Sequence, residues 1–175
     1  STKVYDYGDL PDSYQTTIPG GARHMVTYLT NLYLGAGVDV EANGVPSTLA
    51  DGDDLAGGTD DEDGVLMLGR WTPGATGGTV QVTVGKGTGW LLGFIDFNRD
   101  GDFAAGGDMV VNQAVATNGG PGLDGVYAIP VTVPAGSLST TNSTVLYARF
   151  RLFPSAPFLP QLAYAGTADN GEVED

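Results

Sequence analysis

Thr79-Val80-Gln81-Val82-Thr83-Val84 alternates polar and apolar residues without a break, the two-residue period of a half-buried strand. The same period returns further along the chain. Val145, Tyr147, Arg149 and Arg151 take one face of a run whose other face is Leu146, Ala148, Phe150 and Leu152. Further apolar runs predict strands near 24–34, 64–71, 89–97, 108–115 and 126–133. Turn clusters such as Asn118-Gly119-Gly120-Pro121-Gly122 separate them. No long segment holds a 3.6-residue apolar stripe free of Gly or Pro. Short strands with frequent turn signals predict one all-β domain over residues 1–175, an antiparallel β-sandwich or jelly roll with long loops.

The chain has 175 residues, 28 of them Gly and ten Pro, with 41% apolar. The glycines are scattered without a three-residue period, which excludes collagen, and a disordered linker would hold fewer apolar residues. No apolar run is long enough for a membrane helix, and no leader opens the sequence, so an exported protein would already have lost its signal. The net charge is −14. Such a surface repels phosphate backbones and anionic membranes, which argues against nucleic acid as a partner and against membrane insertion. There is no cysteine, so disulfides and thiolate metal sites are excluded.

The acids are seventeen Asp and four Glu, and all but Asp124 fall into five patches. These are Asp6, Asp9 and Asp12; Asp39 and Glu41; Asp51 to Asp63; Asp96 to Asp108; and Asp169 to Asp175. Like charges this dense are costly unless a cation neutralises them, and they lie between well-patterned apolar segments rather than in tails. Asp96-Phe97-Asn98-Arg99-Asp100-Gly101-Asp102 matches the first half of the calcium loop D-x-[DN]-x-[DN]-G. Alternate side chains of a tightly curled loop point inward, and Gly101 permits the sharp turn. Asp96, Asn98 and Asp100 would supply three hard oxygens, Asp102 a fourth through its carbonyl or side chain, and Asp108 a fifth. The flanks read as strands, so no helix pair is available to open, and the ion is expected to be structural. A second Ca2+ is conceivable at Asp60-Asp61-Glu62-Asp63. That patch lacks alternate spacing and needs outside ligands, which Asp6, Asp9 and Glu172 supply if the chain ends meet beside it.

Several motifs together resemble one family. The sequence closes on Gly171-Glu172-Val173-Glu174-Asp175, the pentapeptide that names the GEVED domain of secreted bacterial and archaeal proteins. Asp6-Tyr7-Gly8-Asp9-Leu10-Pro11-Asp12-Ser13-Tyr14 is similar to its opening motif, followed by Gly21-Ala22-Arg23-His24 and Ala50-Asp51-Gly52-Asp53-Asp54. Ile95 to Asp108 and Tyr147-Ala148-Arg149-Phe150-Arg151-Leu152 complete the set. One departure is Asp108, where the family pattern leads one to expect Glu. The resemblance implies an extracellular, β-rich accessory module excised from a larger secreted protein, monomeric in isolation. It also implies calcium binding and a role in adhesion or polysaccharide binding, with neighbouring domains of the same protein as the other partners.

Catalysis has little support in the sequence. His24 is the only histidine, and we read it as structural beside Arg23. Paired carboxylates for glycoside hydrolysis remain a remote alternative, because the four Glu residues sit inside patches that resemble cation cages. For a sugar-binding module the candidates are Tyr147, Phe158, Trp71 and Trp90, with Phe94 and Tyr164 behind them. Trp90, Leu92, Phe94 and Asp96 share one face of their strand, and Leu91, Ile95 and Phe97 the other. One face is expected to be core, and Trp90 is read as buried. Arg149 and Arg151 are expected to pair with acids, and Phe158 and Leu159 to stand exposed in a Pro-rich loop.

Overall fold

The computed structural model describes residues 2–27, 32–52, 62–117, 125–139 and 141–175. Its strands, in chain order, are β1 (Val4–Tyr7), β2 (Arg23–Val26), β3 (Tyr33–Leu34), β4 (Val65–Leu68), β5 (Gly74–Lys86), β6 (Thr88–Ile95), β7 (Met109–Ala116), β8 (Gly125–Val133), β9 (Ala148–Phe153), β10 (Thr167–Ala168) and β11 (Glu172–Glu174). Two short 3-10 turns, Asp12–Tyr14 and Pro160–Leu162, interrupt the loops. No helix among the described residues is long and apolar enough to cross a membrane. The protein is an all-β sandwich.

The alternating run lies in β5, which organises the first sheet. β8 pairs along one edge of β5, while β4 and β3 take consecutive stretches of the other, opposite Thr79–Val82 and then Val84 and Lys86. The chain turns at Gly87 into β6, which belongs to the second sheet, ordered β11-β9-β6-β7. Val80, Val82 and Val84 of β5 face Leu91, Ile95, Phe150 and Leu152 across the gap, joined by Val111, Val115, Ile129, Val131 and Val133. Each such side chain, fully buried, contributes roughly 1.5–3 kcal/mol.

The core does not stop at one face of β6. Leu92 and Phe94, on the opposite face from Leu91 and Ile95, are buried with Leu10, Tyr14, Phe103 and Phe153 in a second cluster. The expectation of one core face is therefore corrected: this strand is covered on both sides. Its outer cover is built from Leu10 and Tyr14, from Phe103 of the following loop, and from Ala163, Tyr164 and Ala168, the last of these in the third sheet, β1-β2-β10. Trp90 packs half-buried on the margin of that cluster, with its Nε1–H donated to Asn112 Oδ1 at 2.6 Å. The strand anticipated at 24–34 is also corrected, since β2 and β3 lie in different sheets.

Arg149 and Arg151 point from β9 into this outer layer, and both are fully buried. Arg149 forms a bidentate pair with Asp175, Nε to Oδ1 at 2.5 Å and Nη2 to Oδ2 at 2.6 Å. Its remaining donors reach the carbonyls of Tyr14, Gln15 and Tyr164 and the hydroxyl of Thr16. Arg151 departs from the expected pairing with acids: it donates to four carbonyls (Ala163, Ala165, Arg23 and Gly166) and to His24 Nε2. Burial, and then the charge of Arg149, lowers the Arg151 guanidinium to about 9. A buried guanidinium is tolerated only when its donors are satisfied, and here they are.

Candidate cation site in the loop between β6 and β7

Asp96 directly follows β6 and organises the loop it opens. Its Oδ1 accepts from the amides of Arg99 (2.6 Å) and Asp100 (3.3 Å). Its Oδ2 accepts from Gly101 N (3.0 Å) and from the hydroxyl of Tyr14 (2.6 Å). Gly101 adopts φ +90°, a conformation open to glycine and strained for other residues. Beyond Asp96 the side chains brace amides two residues on: Asn98 Oδ1 takes Asp100 N, Asp100 Oδ1 takes Asp102 N, and Asp102 Oδ1 takes Ala104 N. These are Asx-type turns, the local chemistry that makes Asp and Asn favourable here. Asp108 returns the chain to β7, its carbonyl accepting from Ile95 N at 2.8 Å.

The loop gathers carboxylate oxygens of Asp96, Asp100 and Asp108 within 4.8 Å of one another. Asp96 and Asp108 are buried and Asp100 is exposed, so the group opens to solvent on one side. Asp108 is 2% exposed, and its Oδ2 has no hydrogen-bond partner. Burial, then the charges of Asp96 and Asp100, push the Asp108 carboxyl up to about 6. The Tyr14 hydroxyl is also raised, by burial and then by its bond to Asp96. No salt bridge reaches these three acids among the described residues. At 4.8 Å and an effective dielectric near 20, each ionised pair costs roughly 3–4 kcal/mol. The donors are all hard oxygens, the set that suits Ca2+ or Mg2+ rather than a soft metal.

Of the five loop residues singled out in the sequence, three converge. Asn98 joins them indirectly, donating from Nδ2 to Asp100 Oδ2 at 2.7 Å, while the Asp102 side chain turns to Ala104. Asp108 reaches the group despite its short side chain. Tyr14, which the sequence reading left unassigned, holds Asp96 from the opening motif.

The other acids do different work. The chain ends do meet beside the 62–64 segment: Asp175 N donates to Glu62 Oε1, and Gly64 N to Glu174 Oε1. Glu172 Oε2 accepts from Leu34 N at 2.5 Å, and Asp6 Oδ2 from Val173 N at 2.6 Å. Asp9 Oδ2 accepts from Gly52 N, and Asp63 Oδ1 from Ala36 N. Asp60 and Asp61 lie outside the described residues. Asp6 is also brought together with Asp39 and Glu41, their carboxylate oxygens within 4.8 Å. The terminal pentapeptide is thus a clip in which every acid binds a buried amide or Arg149.

The aromatic candidates are dispersed. Tyr147 packs on Tyr14 and donates its hydroxyl to the Thr48 carbonyl at 2.8 Å. Phe158 is 96% exposed, and Leu159 is exposed beside it, as anticipated. Trp71 lines a groove beside β4.

A family model, the GEVED domain, matches residues 90–175, from β6 to the terminal clip. Residues 90–175 belong to the GEVED domain family. The matched GEVED segment holds all of Asp96, Asp100 and Asp108, whereas Tyr14 comes from outside it. No curated protein and no solved structure matches the chain.

Proposed function

We propose that this chain is a non-catalytic, calcium-binding extracellular accessory module, a structural or adhesive unit of a larger protein. The observation that carries the reading is Asp108: a buried carboxylate with an unpartnered oxygen, set against two further acids and no base. Asp96, Asp100 and Asp108 would hold the cation, with carbonyls or water completing its oxygen shell. A bound divalent cation supplies positive charge that removes the mutual repulsion of the three carboxylates. Asp96 meanwhile fixes the loop amides, and Tyr14 ties that loop to the outer layer.

The single histidine supports a non-catalytic role. His24 is fully buried, with Nε2 accepting from Arg151 and Nδ1–H donating to the Asp169 carbonyl at 3.1 Å. Burial, then the Arg151 charge, holds it well below its ordinary value, so it is neutral and structural. The four aromatic candidates form no common platform, which favours the structural reading over polysaccharide binding. A cation bound only by the folded state at 100 times its Kd adds about 2.7 kcal/mol. For a chain of this size that is a rise in Tm of about 5–11 °C. The test is a thermal melt of metal-stripped protein with and without millimolar calcium. The rise should appear in the parent and be largely absent from Asp108→Asn; equal melts for stripped and calcium-loaded parent would refute the reading.

A further inference from the structure

The sandwich is open between β4 and residues 141–148. The groove there holds about 860 Å3, and its floor is Val80, Ile95 and Phe150 of the main core. Two apolar residues on its walls are conspicuously exposed, Met67 at 70% and Val145 at 73%. β4 itself reads Val65-Leu66-Met67-Leu68 and, among the described residues, pairs with β5 along one edge only. It carries neither charge nor proline. Natural sheet edges normally carry such protection. Elsewhere in this protein β8 has Pro130 opposite Thr79, β11 is covered through Glu172 and Glu174, and β7 breaks its apolar run with Asn112 and Gln113. A bare apolar edge beside exposed core is a template for an added strand.

The polar groups of the groove point the same way. Ser139 Oγ accepts from the amides of Thr141 and Asn142, Thr144 Oγ1 accepts from Ser139 N, and Asn142 Nδ2 donates to Thr141. Trp71 donates its Nε1–H to the Leu68 carbonyl and lies against Gly78, where a Cβ would meet its ring. These hydroxyl oxygens serve the loop's own amides, and the floor of Val80, Ile95 and Phe150 offers a sugar no side-chain hydrogen-bond partner. A strand brings apolar side chains for the floor and backbone groups for the edge. Among the described residues Arg70 is the one charged side chain lining the groove, exposed and without a bonded partner there, in a chain of net charge −14.

We propose that β4 and this groove bind an extended segment of a partner polypeptide. The segment adds as a strand beside β4, with alternate apolar side chains over Val80, Ile95 and Phe150 and an acidic residue at Arg70. The test uses the full chain and a fluorescein-labelled decapeptide alternating Val and Thr, with Asp at one end. Saturable anisotropy, with slowed hydrogen exchange at the β4 amides, is expected. Met67→Glu should weaken binding at least tenfold and Arg70→Glu several-fold, each with the parent's melting curve. No binding, equal binding of a peptide with central proline, or unprotected β4 amides overturns the proposal. Laminarin oligosaccharides quenching Trp71 while the peptide fails, or dimerisation abolished by Met67→Glu, overturns it in favour of a glycan or a second copy.

Discussion

Replacing Asp175 by Asn removes the charge that Arg149 faces while keeping the shape of the side chain. In the parent both side chains are inaccessible to water, and the pair is bidentate. The variant leaves a buried guanidinium with carbonyl and hydroxyl partners and no counter-charge. Breaking one side of such a pair costs about 3–5 kcal/mol. The retained amide oxygen still accepts one bond, which sets the expectation near the lower end, about 3 kcal/mol. At about 2–4 °C per kcal/mol for a chain of this length, Tm should fall by about 6–12 °C. Urea unfolding of parent and variant at pH 7, followed by tryptophan fluorescence and circular dichroism, measures the loss directly. Removing both partners, Arg149→Met with Asp175→Ala, should cost less than the sum of the two single variants. A loss below about 1 kcal/mol for Asp175→Asn, or strict additivity of the pair, would refute the view that the terminal pentapeptide is a buried electrostatic clip.

Three further outcomes are expected. His24 is held neutral, so below its unfolded value of 6.5 the unfolded chain binds a proton that the folded one does not. Its contribution to stability is therefore lost as pH falls, at about 1.4 kcal/mol per pH unit, and 15N shifts of the ring should still show a neutral imidazole at pH 5. Asp108 has the opposite sign: without a cation its folded value lies above 3.8, so its ionisation costs stability as pH rises from 4 to 6. Calcium needs it ionised, so apparent affinity measured by calorimetry should fall about tenfold between pH 7 and pH 5; an affinity unchanged over that range would contradict the assignment. Gly171 sits at φ +132° with a Cβ position against the Leu152 carbonyl and His24 Nδ1. Gly171→Ala should cost at least about 1–3 kcal/mol in chemical denaturation.

The strands that the sequence makes legible are those whose two-residue period survives in a core. β5 and β9 are read correctly in position and in face because Val80, Val82 and Val84, and Phe150 and Leu152, all point into one cluster. β1, β10 and β11 escape because they are two to four residues long and carry no apolar alternation. Carboxylates on amides fasten β1 to β11 and β11 to β3, as with Asp6 on Val173 and Glu172 on Leu34. That is also why β6 is misjudged: the layer over Leu92 and Phe94 is built from segments distant in sequence.

The candidate site divides along the same line. Asp96 and Asp100 are legible because D-x-N-x-D-G is a local pattern whose geometry the loop imposes on itself, and Asp108 because it is the acid that closes the same loop. The other acids resemble ion cages in sequence, yet Asp9, Glu174 and Asp175 fasten Gly52, Gly64 and Arg149. An acid placed for a buried amide and one placed for a cation differ only in what stands opposite, which is tertiary information.

Calcium titration of the metal-stripped protein by calorimetry tests the central claim most directly, run beside Asp108→Asn and Asp39→Asn. The account predicts calcium binding that Asp108→Asn abolishes and that persists in Asp39→Asn. Retention of all calcium binding by Asp108→Asn, or no binding by a parent shown to be metal-free, would contradict it.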